Sequence, residues 1–200
     1  MNTIILNGSP ISVINTDFTL TAEEKKCILD LNYVVHNNNE KVKLSEDTNI
    51  LKKKELKRID ELMFYWVNEY NNKILEIKNK LRLVHSWSTI NDNSFHPLHM
   101  HPNSFISCVF YLESQGSNKI CFETHKSLLQ SCYNFDYDII KNNGFNSKNW
   151  TFDINQGMII FFLSNLHHHS FNSGRKILIG SNYFITGKLG SHKRLTYLEI

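Results

Sequence analysis

At Leu81 the period of the sequence changes. Before it, Leu56, Ile59, Leu62, Met63, Trp66, Tyr70, Ile74 and Ile77 recur mostly at spacings of three and four, the mark of one apolar helix face. After it come short runs rich in branched and aromatic residues, separated by polar clusters: 81–90, 104–112, 119–123, 150–154, 158–163, 168–171, 176–185 and 195–200. Helices first and short strands afterwards do not make an alternating α/β chain. The pattern predicts an α+β fold, with N-terminal helices packed on one side of an antiparallel β-sandwich or barrel.

Two helices are expected. One runs over about residues 21–31, opened by Thr21 with Glu23 and Glu24 in its first turn. The other is long, over about 52–79. Residues 3–14 read as an edge strand, and 35–50 as a polar loop around Asn37-Asn38-Asn39. Residues 125–148 have no clear period and read as an insertion able to wall a pocket. A chain of 200 residues suits a single domain, with a helical part at 1–80 and a β core at 81–200.

The formal charge of +3 is no signal for nucleic acid, and Lys52-Lys53-Lys54 reads as a solvated helix end. No apolar run approaches the ~18 residues of a membrane span. The N-terminus lacks the basic and apolar regions of a secretory leader. Cys27, Cys108, Cys121 and Cys132 have no CxxC spacing and read as reduced thiols. The expected location is the cytoplasm, of the host cell if the gene is viral. No membrane partner is expected, and a homodimer is left open.

The chemistry lies in histidine. Imidazole is the commonest protein ligand of iron, zinc and copper. His99 and His101 are two apart, so on a strand they share a face. A histidine from the distant run His167-His168-His169 can close a three-point site. Arg175 or Lys176, on the next strand, can then hold an acidic co-substrate beside the metal. The usual facial set is two histidines and a carboxylate. No Asp or Glu stands at the carboxylate position here, and Asp92 sits in an Asn-Asp-Asn turn. His96 has the opposite strand parity and is left out. His85, His125 and His192 read as surface or packing residues.

Trp87, HPLHMHPNSFISCVFYL over 96–112, GMIIFFLSNLHHHS over 157–170 and RKILIGSNYFITGKLG over 175–190 carry a resemblance in their order and spacing. They resemble a family of 2-oxoglutarate/Fe(II)-dependent oxygenases common in cyanophages and marine bacteria, over roughly residues 84–200. The resemblance implies a double-stranded β-helix (jelly-roll, cupin-like) core, Fe(II), 2-oxoglutarate as co-substrate, ascorbate as reductant, and hydroxylation of an unknown substrate. It makes His99 and His101 the first two metal ligands. Through Ser164-x-Leu166-x-His168 it makes His168 the third, with Leu163 in place of the family's proline.

Counting back from Gly187 and Asn182 puts Lys176 where the family has its strand-borne arginine, with Arg175 on the other face. Lysine binds a carboxylate as a point charge rather than as a bidentate fork. Tyr111 is placed to donate a hydrogen bond to that carboxylate. Two alternatives stay open. One is a three-histidine dioxygenase without 2-oxoglutarate. The other is a non-catalytic jelly-roll module, a phage structural or binding protein.

Overall fold

The computed structural model describes residues 1–6, 8–133 and 137–200. In chain order the first strands are β1 (Asn2–Leu6), β2 (Ser9–Asn15), β3 (Tyr33–His36), β4 (Asn39–Ser45), β5 (Lys80–Asp92), β6 (His96–His99) and β7 (Ile106–Ser114). They are followed by β8 (Asn118–Glu123), β9 (Asn149–Ile154), β10 (Met158–Leu163), β11 (His167–Asn172), β12 (Arg175–Thr186), β13 (Lys188–Leu189) and β14 (Leu198–Glu199). The helices are α1 (Ala22–Leu29), α2 (Lys57–Tyr70) and α3 (Leu128–Cys132).

Eight strands form one large sheet, in the order β1-β2-β10-β7-β12-β5-β4-β3. Four form a smaller one, β6-β11-β8-β9. Every ladder among the described residues is antiparallel. The two sheets enclose a jelly-roll core, and the N-terminal helices cover the outer face of the large sheet.

Side-chain alternation on the central strands builds both layers. On β7 and β10, Cys108, Phe110, Ile159 and Phe161 join Ile59, Met63, Val67 and Tyr70 of α2 in one buried cluster. Val109, Tyr111, Ile160 and Phe162 turn the other way, into a second cluster with Ile120 and Phe122 of the small sheet. A strand buried on both faces reads as a continuous apolar run, as MIIFFL does. Tyr70 packs on Phe161 with ring centroids 5.9 Å apart and donates its hydroxyl to the Pro10 carbonyl at 2.7 Å.

The two helices are joined by one carboxylate. Glu24 closes a capping box with Thr21 at the start of α1. It also accepts two hydrogen bonds from Arg58 of α2, at 2.6 and 2.9 Å.

Several local expectations are corrected. The polar stretch 35–50 is largely a hairpin, β3–β4, whose turn residues Asn37 and Asn38 have φ of 50° and 58°. Asparagine tolerates that left-handed region, and two such residues make the tight turn that suits strand twist. Residues 3–14 are two strands rather than one: β1 lies at the edge and β2 lies inside the sheet.

The long helix is shorter than its periodicity. 3₁₀ turns over Ile50–Lys52 and Lys54–Leu56 precede it, and a π turn over Asn71–Leu75 ends it. Buried Asn71 stops it by donating its side-chain amide to the carbonyls of Ile77 and Asn79. The insertion at 125–148 holds the short α3, capped by Ser127 and Gln130; residues 134–136 within it lie outside the described set. The expected final strand over 195–200 reduces to β14.

Met63 is fully buried between α2 and the sheet. Met63→Ala should cost about 2–5 kcal/mol through lost burial and the cavity left behind. Urea denaturation should show this as a lower midpoint with little change in slope.

Candidate metal centre

Three backbone contacts shape the site before any side chain is considered. Ser164 donates its N–H to the Phe105 carbonyl at 3.0 Å, and its own carbonyl accepts from the His101 N–H at 2.9 Å. β6 pairs with β11 so that His99 lies directly opposite His168. The loop after β6 is thereby tied to the end of β10 and brought over β11. His101 stands just beyond β6, so it shares a cavity with His99 through this loop rather than through strand alternation.

The rings of His99, His101 and His168 converge. One ligand nitrogen from each lies within 4.8 Å of the others. His101 Nε2 and His168 Nε2 are 3.3 Å apart. His99 Nδ1 is 2.8 Å from the Pro97 carbonyl, and His168 Nδ1 is 3.1 Å from the Leu166 carbonyl. A carbonyl can only accept, so Nδ1 carries the proton in both rings and each Nε2 presents a lone pair. The same contact to the backbone carbonyl two places back recurs in both histidines.

Burial lowers the pKa of all three. His101 is pushed down to about 4 by burial and then by the neighbouring His99, and His168 falls well below its ordinary value. Burial likewise lowers His99. All three rings are therefore neutral at neutral pH and able to ligate.

The donor set fits a first-row dication. With metal–imidazole bonds of about 2.0–2.1 Å, neighbouring ligand nitrogens stand roughly 3 Å apart, close to the His101–His168 separation. A shared proton would explain two nitrogens at that distance. It would not draw in a third ring.

These rings form one end of a cavity that also reaches Tyr111, Ser170 and Lys176. Lys176 is 2% exposed and points inward from β12. Its ammonium donates to Ser170 Oγ at 2.9 Å and lies 5.8 Å from the centre of the Tyr111 ring. Among the described residues no carboxylate lines the cavity or pairs with Lys176. Burial alone pushes its pKa down to about 7. Burial raises the Tyr111 phenol, which stays protonated.

Arg175 is excluded from the cavity. It faces outward on the same strand, half exposed, 3.7 Å from Asp92. By strand alternation the His167 and His169 side chains point away from that of His168, although His169 also borders the cavity. His85, His125 and His192 are exposed.

The strand-parity argument fails at His96. Ladder partners run from Ser170↔His96 to His168↔His99, so a bulge inserts one extra residue into β6. That restores His96 to the cavity wall, where its ring lies 4.7 Å from that of His99. Nothing in the local sequence marks this bulge. On the other side, the Trp87 ring lies 5.4 Å from that of His101.

Residues 85–176 match the model of a family described as "Putative 2OG-Fe(II) oxygenase". The matched stretch contains all three converging histidines and ends on Lys176. No curated protein matches the chain.

Among solved structures, an oxidoreductase of the 2OG-Fe(II) oxygenase family from Burkholderia pseudomallei is similar, with a TM-score of 0.60 and 9% identity over 87% of this chain and 84% of that one. HygX from Streptomyces hygroscopicus, solved with nickel, 2-oxoglutarate and hygromycin B bound, gives 0.57 and 11% over 87% and 82%. A prolyl-4-hydroxylase from Pseudomonas putida gives 0.52 and 13% over 88% and 92%. At these identities the likeness is one of fold.

Gly180 underlies the Trp87 indole, and a Cβ there would come within 2.4–2.9 Å of its ring atoms. Gly180→Ala should therefore drive Trp87 against His101. Anaerobic Fe(II) titration should then show an affinity loss of about tenfold or more, as for other residues that support metal ligands. Trimming the indole in Gly180→Ala/Trp87→Phe should restore most of it. An unchanged affinity in the single variant would mean that Trp87 does not support His101.

Proposed function

We propose that the protein is a non-haem Fe(II)- and 2-oxoglutarate-dependent dioxygenase that hydroxylates a C–H bond of a substrate still to be identified. One observation carries the reading. A single cavity joins three convergent neutral imidazoles to a buried ammonium that has no counterion among the described residues. The family match over residues 85–176 and the shared jelly-roll fold support it.

His99, His101 and His168 would hold Fe(II) from one side and leave the cavity side for other ligands. When bound, Fe(II) supplies the O₂-dependent oxidation in which 2-oxoglutarate is decarboxylated to succinate. Lys176 takes the far carboxylate of 2-oxoglutarate and so orients its keto-acid end towards the histidines. Ser170 Oγ accepts from Lys176, which leaves its own O–H free to donate to the same carboxylate. The Tyr111 phenol is the further donor proposed for that group. Val109, Ile120 and Leu178 wall the cavity with apolar surface and restrict water. Three neutral ligands leave the charge of a dication uncompensated, and Lys176 adds another positive charge. A dianionic co-substrate matches both.

A second reading, a three-histidine dioxygenase that needs no 2-oxoglutarate, is favoured by the lack of a carboxylate among the described lining residues. Calorimetry on metal-loaded protein separates the two. Binding of 2-oxoglutarate, with succinate formed in the presence of O₂ and ascorbate, supports the first reading. Absence of 2-oxoglutarate binding with metal loaded rejects it.

Lys176→Met should abolish 2-oxoglutarate binding and spare metal binding, whereas Arg175→Glu should leave both in place. The same Lys176→Met change should stabilise the ligand-free protein by about 1–3 kcal/mol, because it removes a buried polar group with a single partner. The wild-type lysine titrates near 7 when folded and near 10.5 when unfolded. Between those values the unfolded chain binds more protons, so wild-type stability should rise with pH across that window, and the variant should lack the rise.

Binding of 2-oxoglutarate has the opposite trend. It requires the ammonium, so affinity should fall above about pH 7, by at most roughly tenfold per unit, with a proton taken up on binding. Calorimetry in buffers of different ionisation enthalpy measures that proton directly.

A further inference from the structure

The outer face of the small sheet carries a second donor set, and its histidine, His169, also borders the cavity. Cys121 of β8 and His169 of β11 are direct ladder partners, and Glu123 is two residues along β8 on the same face. One ligand atom from each, a sulfur, a nitrogen and an oxygen, lies within 4.8 Å of the others. His169 Nδ1 and a Glu123 carboxylate oxygen are 3.2 Å apart.

The setting is unusual for an outward face. The same face is solvated on either side, with Thr151, the β9 ladder partner of Cys121, exposed and Lys119 paired to Asp153 at 3.3 Å. Yet Cys121 is 5% exposed and His169 is 7% exposed. The His169 ring is screened by Phe171, edge-on with centroids 4.7 Å apart, and by Phe95 at 5.6 Å. Both phenylalanines are themselves half exposed, so they act as a cover rather than as core. An ion pair between His169 and Glu123 explains two of the three groups. The Cys121 thiol meets the Phe122 carbonyl at 3.8 Å and the Thr151 side chain, and its sulfur still lies within reach of both.

We propose that Cys121, Glu123 and His169 form a second metal site that takes a borderline-soft dication such as Zn²⁺, with solvent completing the coordination. Thiolate, imidazole and carboxylate are all established zinc donors, whereas Mg²⁺ and Ca²⁺ require oxygen ligands. A thiolate and a carboxylate together neutralise a dication, so this set suits a resident ion. The three converging histidines of the inner cavity carry no charge and leave theirs for a ligand. On binding, the Cys121 thiol gives its proton to solvent. The ion would tie β8 to β11 across the rung next to His168. It would act as a structural clamp on the strand that presents the third inner histidine.

Titration of metal-free protein with Co²⁺ tests this without reference to activity. A thiolate ligand adds a sulfur-to-cobalt charge-transfer band in the near ultraviolet, which imidazole ligands alone do not produce. Two equivalents should bind, with the band accompanying one of them, and Zn²⁺ should bleach it. The band should survive His99→Ala, which damages the inner set, and Cys132→Ser, which removes the exposed thiol. Cys121→Ser should lose the band and one equivalent. Wild-type protein that saturates without a thiolate band overturns the proposal, whatever the folding of the variants. So does a band that persists in folded Cys121→Ser.

Discussion

The central strands of the large sheet are buried on both faces, and the rest of the structure depends on that constraint. β7, β10 and β12 give alternate residues to the helices and to the space between the sheets. A slip of one residue would exchange the two sets. On β12 it would also put Arg175 inside and Lys176 outside. The apolar contacts that fix the register, such as Phe110 and Phe161 against α2 and Val109 and Ile160 in the inner core, therefore also decide which basic residue the cavity receives. Packing energy spread over many contacts holds one polar side chain where it is costly to hold it.

Charge distinguishes the two donor sets on β11. Its inward face offers His168 to a group of neutral imidazoles, with the cation of Lys176 at the far end of the same cavity. Its outward face offers His169 to a thiol and a carboxylate. On the proposed reading, the inner set binds a metal without cancelling its charge and draws an anion to it. The outer set would satisfy an ion completely and offer it no such task. Adjacent residues on one strand can do both because a strand separates their side chains by the thickness of the sheet.

The inner histidines are held by the backbone more than by one another. Carbonyls of Pro97 and Leu166 fix the tautomers of His99 and His168, and the Ser164 carbonyl holds the loop that carries His101. These contacts use groups that every residue possesses, so they leave little trace in side-chain identity. The turn after β10 is closed in the same way, by the Leu166 N–H on the Leu163 carbonyl.

The sequence by itself determined what depends on neighbours along the chain. The change of period at Leu81, the apolar face of α2 and the two-sided burial of Met158–Leu163 all follow from spacing within one element, whereas the choice of Lys176 over Arg175 came from the resemblance. The Asn37-Asn38 turn was equally local. The alternation Lys41-Val42-Lys43-Leu44 beside it was a usable hairpin signal that the polar composition of the segment obscured. Tertiary structure decided the rest. The bulge in β6 returned His96 to the cavity against its apparent parity, and the loop tied to Ser164 brought His101 beside His168 from beyond the strand end. The pairing of β8 with β11 set Cys121 against His169. Periodicity records which face of its own strand a residue occupies. Which strand lies alongside, and in what register, is set by contacts between distant segments, and those exist only once the core has closed.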